Sequence, residues 1–321
     1  MIISPTEFGK GCLKTPKEVR DKHYRLAAAP PLTDWSVPHK VPANVPVLSQ
    51  NGSSACTAFF TASYCSILNQ IENNKTEEYS RRFIYSQTSL GPNQGTYIWK
   101  AMRVPLTVGC ASLDSVPDGN ATEQEMLDKS LNGTARIEAR TDKYAVIPRS
   151  NIDQLAQVVK DYHGFGTGFN GHDNMFDSDG IIIDWSRSDW GHCILVIGFE
   201  LRNNKKYLRF RNSWSSSWGS GGDGFISEEF VNSGMMFDCY VYAVIEDLDP
   251  LTMEIILARD PKDPDPSKVY ALIEDKKIKA WVPNPATLNL GQGSIWKGFD
   301  SVIQKDLSGY RNGVIQIAVS E

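Results

Sequence analysis

The chain has 321 residues, 41% hydrophobic and 22% charged, a balance that speaks against wholesale disorder. Lys plus Arg number 33 against 38 Asp plus Glu, for a formal charge of -5, which argues against a general nucleic-acid binder working by bulk positive charge. The apolar runs, such as 193–197 and 239–245, are short, well below the ~18 residues that a membrane helix needs. The length predicts one large and one small domain, or two of similar size.

Six cysteines are too sparse for a disulfide-built fold, and no CxxC pair suggests a structural zinc. Cys56 and Cys65 on one helix would stand roughly 13 Å apart along its axis, too far to bond to each other. No basic start followed by an apolar core opens the chain, so no secretory signal is expected. A cytoplasmic, reducing location is favoured, with unconventional export left open.

In chain order, residues 1–29 form a polar, basic leader expected to drape over a core. Pro38, Pro42 and Pro46 predict an extended approach over 37–47. Apolar residues at Cys56, Phe60, Tyr64, Ile67, Leu68 and Ile71 fall on one helix face. Ser53 and Ser54 are candidate N-caps, and Asn73-Asn74 supplies the stop. Further helices are expected over 76–88 and from Tyr97 to about Val104. After residue 180 the pattern turns to sheet. A β-like run covers 180–184, a doubly buried strand 193–199, a half-buried strand 207–212 and another strand 240–245. Helices first and strands second predict an α+β fold with a cleft between the halves. Beyond residue 249 come a Pro/Asp linker at 260–266 and a hairpin joining 269–273 to 279–282 through the charged turn 274–277.

Three segments carry chemistry: Gln50-Asn51-Gly52-Ser53-Ser54-Ala55-Cys56-Thr57, Trp190-Gly191-His192-Cys193, and Arg211-Asn212-Ser213-Trp214 with Trp218-Gly219. A cysteine in the first helical turn sits at the positive end of the macrodipole, which favours thiolate, and a nearby imidazolium favours it further. A histidine on a buried strand is held rigidly. An asparagine at a strand end can fix its tautomer. A glutamine six residues before the cysteine can aim its amide at the same point as the Cys56 backbone N–H, making an oxyanion hole.

These segments resemble the papain-like cysteine peptidases, in their bacterial or phage-type branch. Ala29-Pro30-Pro31-Leu32-Thr33-Asp34-Trp35, Ser80-Arg81-Arg82-Phe83-Ile84-Tyr85, Gly95-Thr96-Tyr97-Ile98 and Gly164-Phe165-Gly166-Thr167-Gly168-Phe169 extend the resemblance over roughly 30–245. It implies a papain-like fold, with a helical half, an antiparallel β-barrel-like half and the site between them. It implies Cys56 as nucleophile, His192 as base and then acid, Asn212 as orienter of His192, and Gln50 in the oxyanion hole. Trp214 would shield the His–Asn bond and border the substrate, Trp218 would brace the loop, and the Gly95 backbone would pair with an extended substrate. No metal or cofactor is implied. The partner is a protein or peptide substrate, with no nucleic acid and no membrane.

Thr57 stands where the family usually has tryptophan, though its bacterial branch commonly reads Cys-Thr-Ala. Ser53 replaces a cysteine that many secreted members place in a disulfide, and Ser54-Ala55 replaces Gly-Ser. The leader is far shorter than the prosegment of lysosomal members. Cys12, Cys65, Cys110, Cys193 and Cys239 are expected to be free structural thiols. His172, Asp173 and Asp177 are expected to form a polar surface loop.

Residues 249–321 resemble a small β-rich module of bacterial and phage proteins, with Asn284 in a place usually held by Asp. Its Trp281, Trp296 and Phe299 would make a mini-core or a face for a protein or glycan. The boundaries expected are therefore a leader to 29, a peptidase domain over 30–248 and an accessory module over 249–321. Two other readings stand beside peptide-bond hydrolysis: transfer or processing on one specific partner, and a non-catalytic structural or binding protein on the same scaffold.

Overall fold

The computed structural model describes residues 11–23, 26, 29–138, 140, 143–148, 150–248, 256–265, 268–273, 277–282 and 303–317. Within the leader, a short strand β1 (Cys12–Leu13) precedes one helical turn, α1 (Lys17–Arg20), and β2 (His39–Lys40) follows on the proline-rich approach.

The central helix α2 (Cys56–Asn73) stops where Asn74 turns left-handed at φ 53°, a conformation that asparagine adopts more readily than most residues. Instead of one buried face it has buried residues on all sides as far as Asn69. Small side chains such as Ala58, Thr61, Ala62 and Ser63 alternate with Phe59, Phe60, Tyr64, Ile67 and Leu68, so neighbours approach from every direction. Each of those large apolar side chains contributes about 1.5–3 kcal/mol through burial. Neither expected serine caps the helix. Ala55 occupies the N-cap without a side-chain bond. Ser53 Oγ instead donates to the Gln50 carbonyl (2.7 Å), and the Ser54 N–H donates to Glu123 Oε2 (2.7 Å).

The second helix is shorter than its pattern suggests. Helix α3 (Arg81–Thr88) starts at Ser80, whose Oγ accepts the Phe83 N–H. Upstream, Tyr79 bridges Ser112 and the Ser80 N–H bonds the Ala111 carbonyl, so that stretch is extended. Next come β3 (Thr96–Tyr97), α4 (Ile98–Thr107), which runs past Val104 through Pro105, and β4 (Cys110–Ala111). Helix α5 (Glu123–Leu127) and helix α6 (Ile152–Tyr162), with β5 (Ile137–Glu138) and β6 (Lys143–Val146) between them, were not foreseen. Both helices carry legible capping boxes, Thr122 with Glu125 and Asn151 with Gln154.

The second half holds β7 (Phe165–Gly171), β8 (Trp190–Arg202), β9 (Lys205–Arg211), β10 (Asp223–Ser227), α7 (Glu228–Ser233) and β11 (Met236–Leu248). Strands β10-β9-β8-β7-β11 pair in that order, each antiparallel to its neighbour, with β2 added to β8 and β6 to β11. The expected run at 180–184 is not a full strand. It makes isolated bridges from Ile181 to Phe225 and from Ile182 to Phe176, and Ile183 is 58% exposed.

Strands β12 (Ile256–Arg259), β13 (Val269–Ile273), β14 (Ile278–Val282), β15 (Ile303–Gln304) and β16 (Arg311–Ile317) make up the C-terminal block. Strands β13 and β14 form the expected antiparallel hairpin. Ala258, Tyr270, Leu272 and Leu307 make a small apolar cluster of their own. The sheet nevertheless continues from one block to the other, because residues 244–248 of β11 pair in parallel with β16. Trp281 lies on β14 opposite Tyr270. Trp296, Phe299, Asn284 and the turn 274–276 lie outside the described residues. Among the described residues no helix is long and apolar enough to cross a membrane.

One buried charge cluster anchors the end of β9. Asp223, 1% exposed, accepts from Arg211 Nε (2.5 Å) and Arg209 Nε (2.7 Å), and Arg211 also donates to the Val45 carbonyl. Asp223→Ala is expected to cost about 3–5 kcal/mol, because it strands the buried Arg211 guanidinium. Urea unfolding of the two proteins measures the difference.

Candidate active site

Two rigid elements and one loop bring the sequence-predicted residues together. Cys56 is the first residue of α2, His192 the third of β8, and Asn212 the first beyond β9. Strand β8 lies between β7 and β9 and is buried from His192 to Phe199, so its hydrophobic run holds His192 in place.

His192 Nε2 lies 2.8 Å from Asn212 Oδ1. The same oxygen accepts the Ser213 N–H at 2.8 Å, which identifies it as the carbonyl end of the amide. His192 Nε2 therefore carries a proton, and Nδ1 is the basic nitrogen of the neutral ring. Trp214 stacks on the imidazole with ring centroids 4.5 Å apart and an interplanar angle of 26°. Trp214 is fully buried, its other neighbours being Trp218, Phe176 and Trp190. It faces the imidazole on one side and an aromatic cluster on the other. That dry setting strengthens the His–Asn bond.

Gln50 is fully buried. Its backbone N–H bonds the Ser213 carbonyl (2.8 Å), and Ser213 Oγ donates to Gln50 Oε1 (2.6 Å). The oxygen end is thereby fixed, and Nε2 turns toward the Cys56 turn, where it donates to the Ser53 carbonyl at 2.5 Å. Ser213 was missed as an orienter because its contact spans 163 residues. Glu123 was missed too. Its carboxylate accepts from the Ser54 N–H (2.7 Å), Tyr85 Oη (3.0 Å) and the Asn93 N–H (2.9 Å), tying the turn before Cys56 to α3 and to the loop before Gly95.

The state of Cys56 departs from expectation. Burial pushes its thiol far above the ordinary range, and the neighbouring Cys12 adds to the shift. Backbone hydrogen bonds to the sulfur from Cys193, Gly11 and Thr57 act in the opposite direction without overcoming it. The macrodipole argument fails here because the site is covered: residues of the leader lie over the sulfur.

The covering segment is β1. It pairs in parallel with β3, Cys12 opposite Thr96, and the Thr96 N–H bonds the Gly11 carbonyl at 2.8 Å. Gly95, at φ +65°, has no room for a side chain, since a Cβ there would stand 1.9 Å from the Gly11 oxygen. On the other wall, a Cβ on Gly191 would stand 2.2 Å from the Cys12 oxygen. The strand therefore threads between Gly95 and the residue before His192. Downstream, buried Asp238 accepts the Thr15 N–H and faces Arg20 Nη1 at 3.6 Å.

Among the described residues no group of three or more His, Cys, Asp and Glu side chains is placed to hold a metal ion. His172 is not a surface residue: it is 1% exposed, with Nε2 3.3 Å from Asp184. Asp173 instead accepts Trp190 Nε1 at 2.9 Å, and Asp177 accepts main-chain N–H groups of Asp179 and Ile181.

Known proteins resemble this chain in sequence and in fold. The family model described as papain family cysteine protease matches residues 29–241. The chain is 22% identical over 219 residues to the viral cathepsin of Cydia pomonella granulosis virus, a match covering 65% of this chain and 61% of that protein. It thus spans less than two thirds of that relative. It is 24% identical over 183 residues to zingipain-2 of Zingiber officinale, covering 56% of this chain and 80% of that one. Xylellain, a cysteine protease from Xylella fastidiosa, shares the fold with a TM-score of 0.58 at 18% identity, over 75% of this chain and 98% of that one. The α+β architecture is the papain-like fold, and the chain belongs to the papain family of cysteine proteases, which are hydrolases.

Proposed function

We propose that the protein is a cysteine endopeptidase that forms a thioester on Cys56. The observation that carries this reading is the oriented imidazole: His192 Nε2 is committed to Asn212 beneath Trp214, and the next residue's N–H bonds the Cys56 sulfur. The Cys56 proton passes to His192 Nδ1 as the sulfur attacks the substrate carbonyl carbon. The resulting oxyanion lies between the Cys56 N–H and Gln50 Nε2. The imidazolium then protonates the departing amine, the C–N bond breaks, and water repeats the sequence to release the acid. Residues 30–248 form the peptidase unit and 249–321 an accessory module that binds a protein or glycan partner. The substrate is a protein or peptide met in a reducing, cytoplasmic setting.

On this reading the leader keeps the site latent. The Gly11 carbonyl is taken by the Thr96 N–H and the Cys12 carbonyl lies against Gly191, so the leader crosses the site with both carbonyls engaged elsewhere.

The primary test is Cys56→Ala, which should abolish both peptide turnover and labelling by an epoxysuccinyl reagent; turnover that survives the substitution overturns the assignment. Gln50→Ala should lower kcat about 10²–10³-fold. Ser213→Ala should lower it by about tenfold, the equivalent of ~1.4 kcal/mol, and should add nothing to Gln50→Ala, because Ser213 acts through Gln50. Independent, additive losses in the double variant count against that role. Removing residues 1–20 should speed alkylation of Cys56 at pH 7 and move its pH profile lower, since the burial that holds the thiol up is relieved; iodoacetamide kinetics read both changes.

A further inference from the structure

Two cysteines outside the catalytic set meet where the leader crosses the cleft. Cys12 comes from β1 and is 3% exposed, and Cys193 follows His192 on β8 and is 2% exposed. Residues two apart on a strand face the same side, so Cys193 stands on the face of β8 that meets Cys12 at Gly191, and each thiol affects the other's ionisation. The backbone contact of Cys12 with Gly191 places the two strands against one another at this point. We propose that Cys12 and Cys193 form a reversible disulfide latch that holds the leader over Cys56 under oxidising conditions. The inference rests on the reading of the leader as a cover.

The other thiols nearby are committed elsewhere. The Cys56 sulfur takes its hydrogen bonds from the main-chain N–H groups of Gly11, Cys193 and Thr57. Cys239 Sγ donates to Thr167 Oγ1 at 3.2 Å. That leaves Cys193 as the side-chain partner of Cys12. Burial holds both Cys12 and Cys193 in the thiol form, with Asp238 adding to the effect, so exchange begins when the strand lifts and Cys12 meets water.

The oxidant is a low-molecular-weight disulfide such as oxidised glutathione. The lifted Cys12 thiolate attacks one of its sulfurs, the S–S bond breaks, and one reduced glutathione leaves. As the strand returns, the Cys193 sulfur attacks the Cys12 sulfur of the mixed disulfide. The second glutathione departs with the Cys193 proton. The two protein thiols lose two electrons and two protons, and one glutathione disulfide becomes two thiols. Reduction reverses the sequence.

The test equilibrates the full chain in glutathione buffers of graded potential, quenches in acid, alkylates free thiols, and maps disulfides by non-reducing mass spectrometry. The expected product joins the peptide of Cys12 to that of Cys193, with Cys56 recovered as an alkylated thiol. In parallel, epoxysuccinyl labelling of Cys56 should be at least tenfold slower in the oxidised than in the reduced chain and should recover with dithiothreitol. Cys12→Ser should lose that oxidation dependence, and circular dichroism would verify that it folds. A link from Cys12 to Cys56, glutathione adducts alone, or no linkage at an oxidising potential overturns the latch. The chain lacking residues 1–20 separates the two readings. If its labelling is no faster than that of the reduced full chain, the cover itself fails and the latch with it. If its labelling is faster but oxidation of the full chain forms no Cys12–Cys193 link, only the latch fails.

Discussion

Desolvation of one sulfur governs the site. A thiolate buried without water or a cation is strongly disfavoured, and Cys56 is fully buried beneath Gly11 and Cys12. The helix N-terminus behind it and the three N–H groups around it would serve a thiolate well, yet they do not outweigh the lost solvent. Uncovering the sulfur is therefore both a steric and an electrostatic event. Displacing Gly11 and Cys12 would return solvent to the sulfur and lower the cost of ionising it.

The remaining parts of the site are held by contacts of their own. Asn212 Oδ1 is held by the Ser213 N–H, the Asn212 N–H bonds the Gly222 carbonyl (2.9 Å), and the strand end is clamped by Arg211 and Asp223. The imidazole is stacked beneath Trp214, and Gln50 is fixed by Ser213. The segment Asn212-Ser213-Trp214 thus holds the His192 imidazole, holds the Gln50 amide and covers the ring with three consecutive residues. Such preorganisation avoids rearrangement during reaction.

Much of this was legible in the chain itself. The Gln50–Cys56 spacing, the apolar run after His192 and the Asn212-Ser213-Trp214 segment are local patterns, each set by a single element. The family resemblance joined them, and the α+β layout followed from helices preceding strands. Other features were illegible for equally physical reasons. The α2 helix reads as one-faced until its alanines, serines and threonines are seen to admit neighbours on every side. The length of α3 depended on Ser80 capping against a strand contact at Ser112, and that contact is not local. The placement of β1 over Cys56 depended on the lack of side chains at Gly95 and Gly191, and its effect on the thiol could not be inferred from a helix position alone.

The parallel pairing of β11 with β16 bears on how the chain can be divided. The family match ends at residue 241, but β11 runs on to Leu248, and residues 244–248 find their main-chain partners in β16. Cutting the chain after β11 would leave that stretch as a bare edge, with unpaired amides and carbonyls in a row, the arrangement through which sheets recruit further chains. The C-terminal block therefore acts as a sheet terminator for β11.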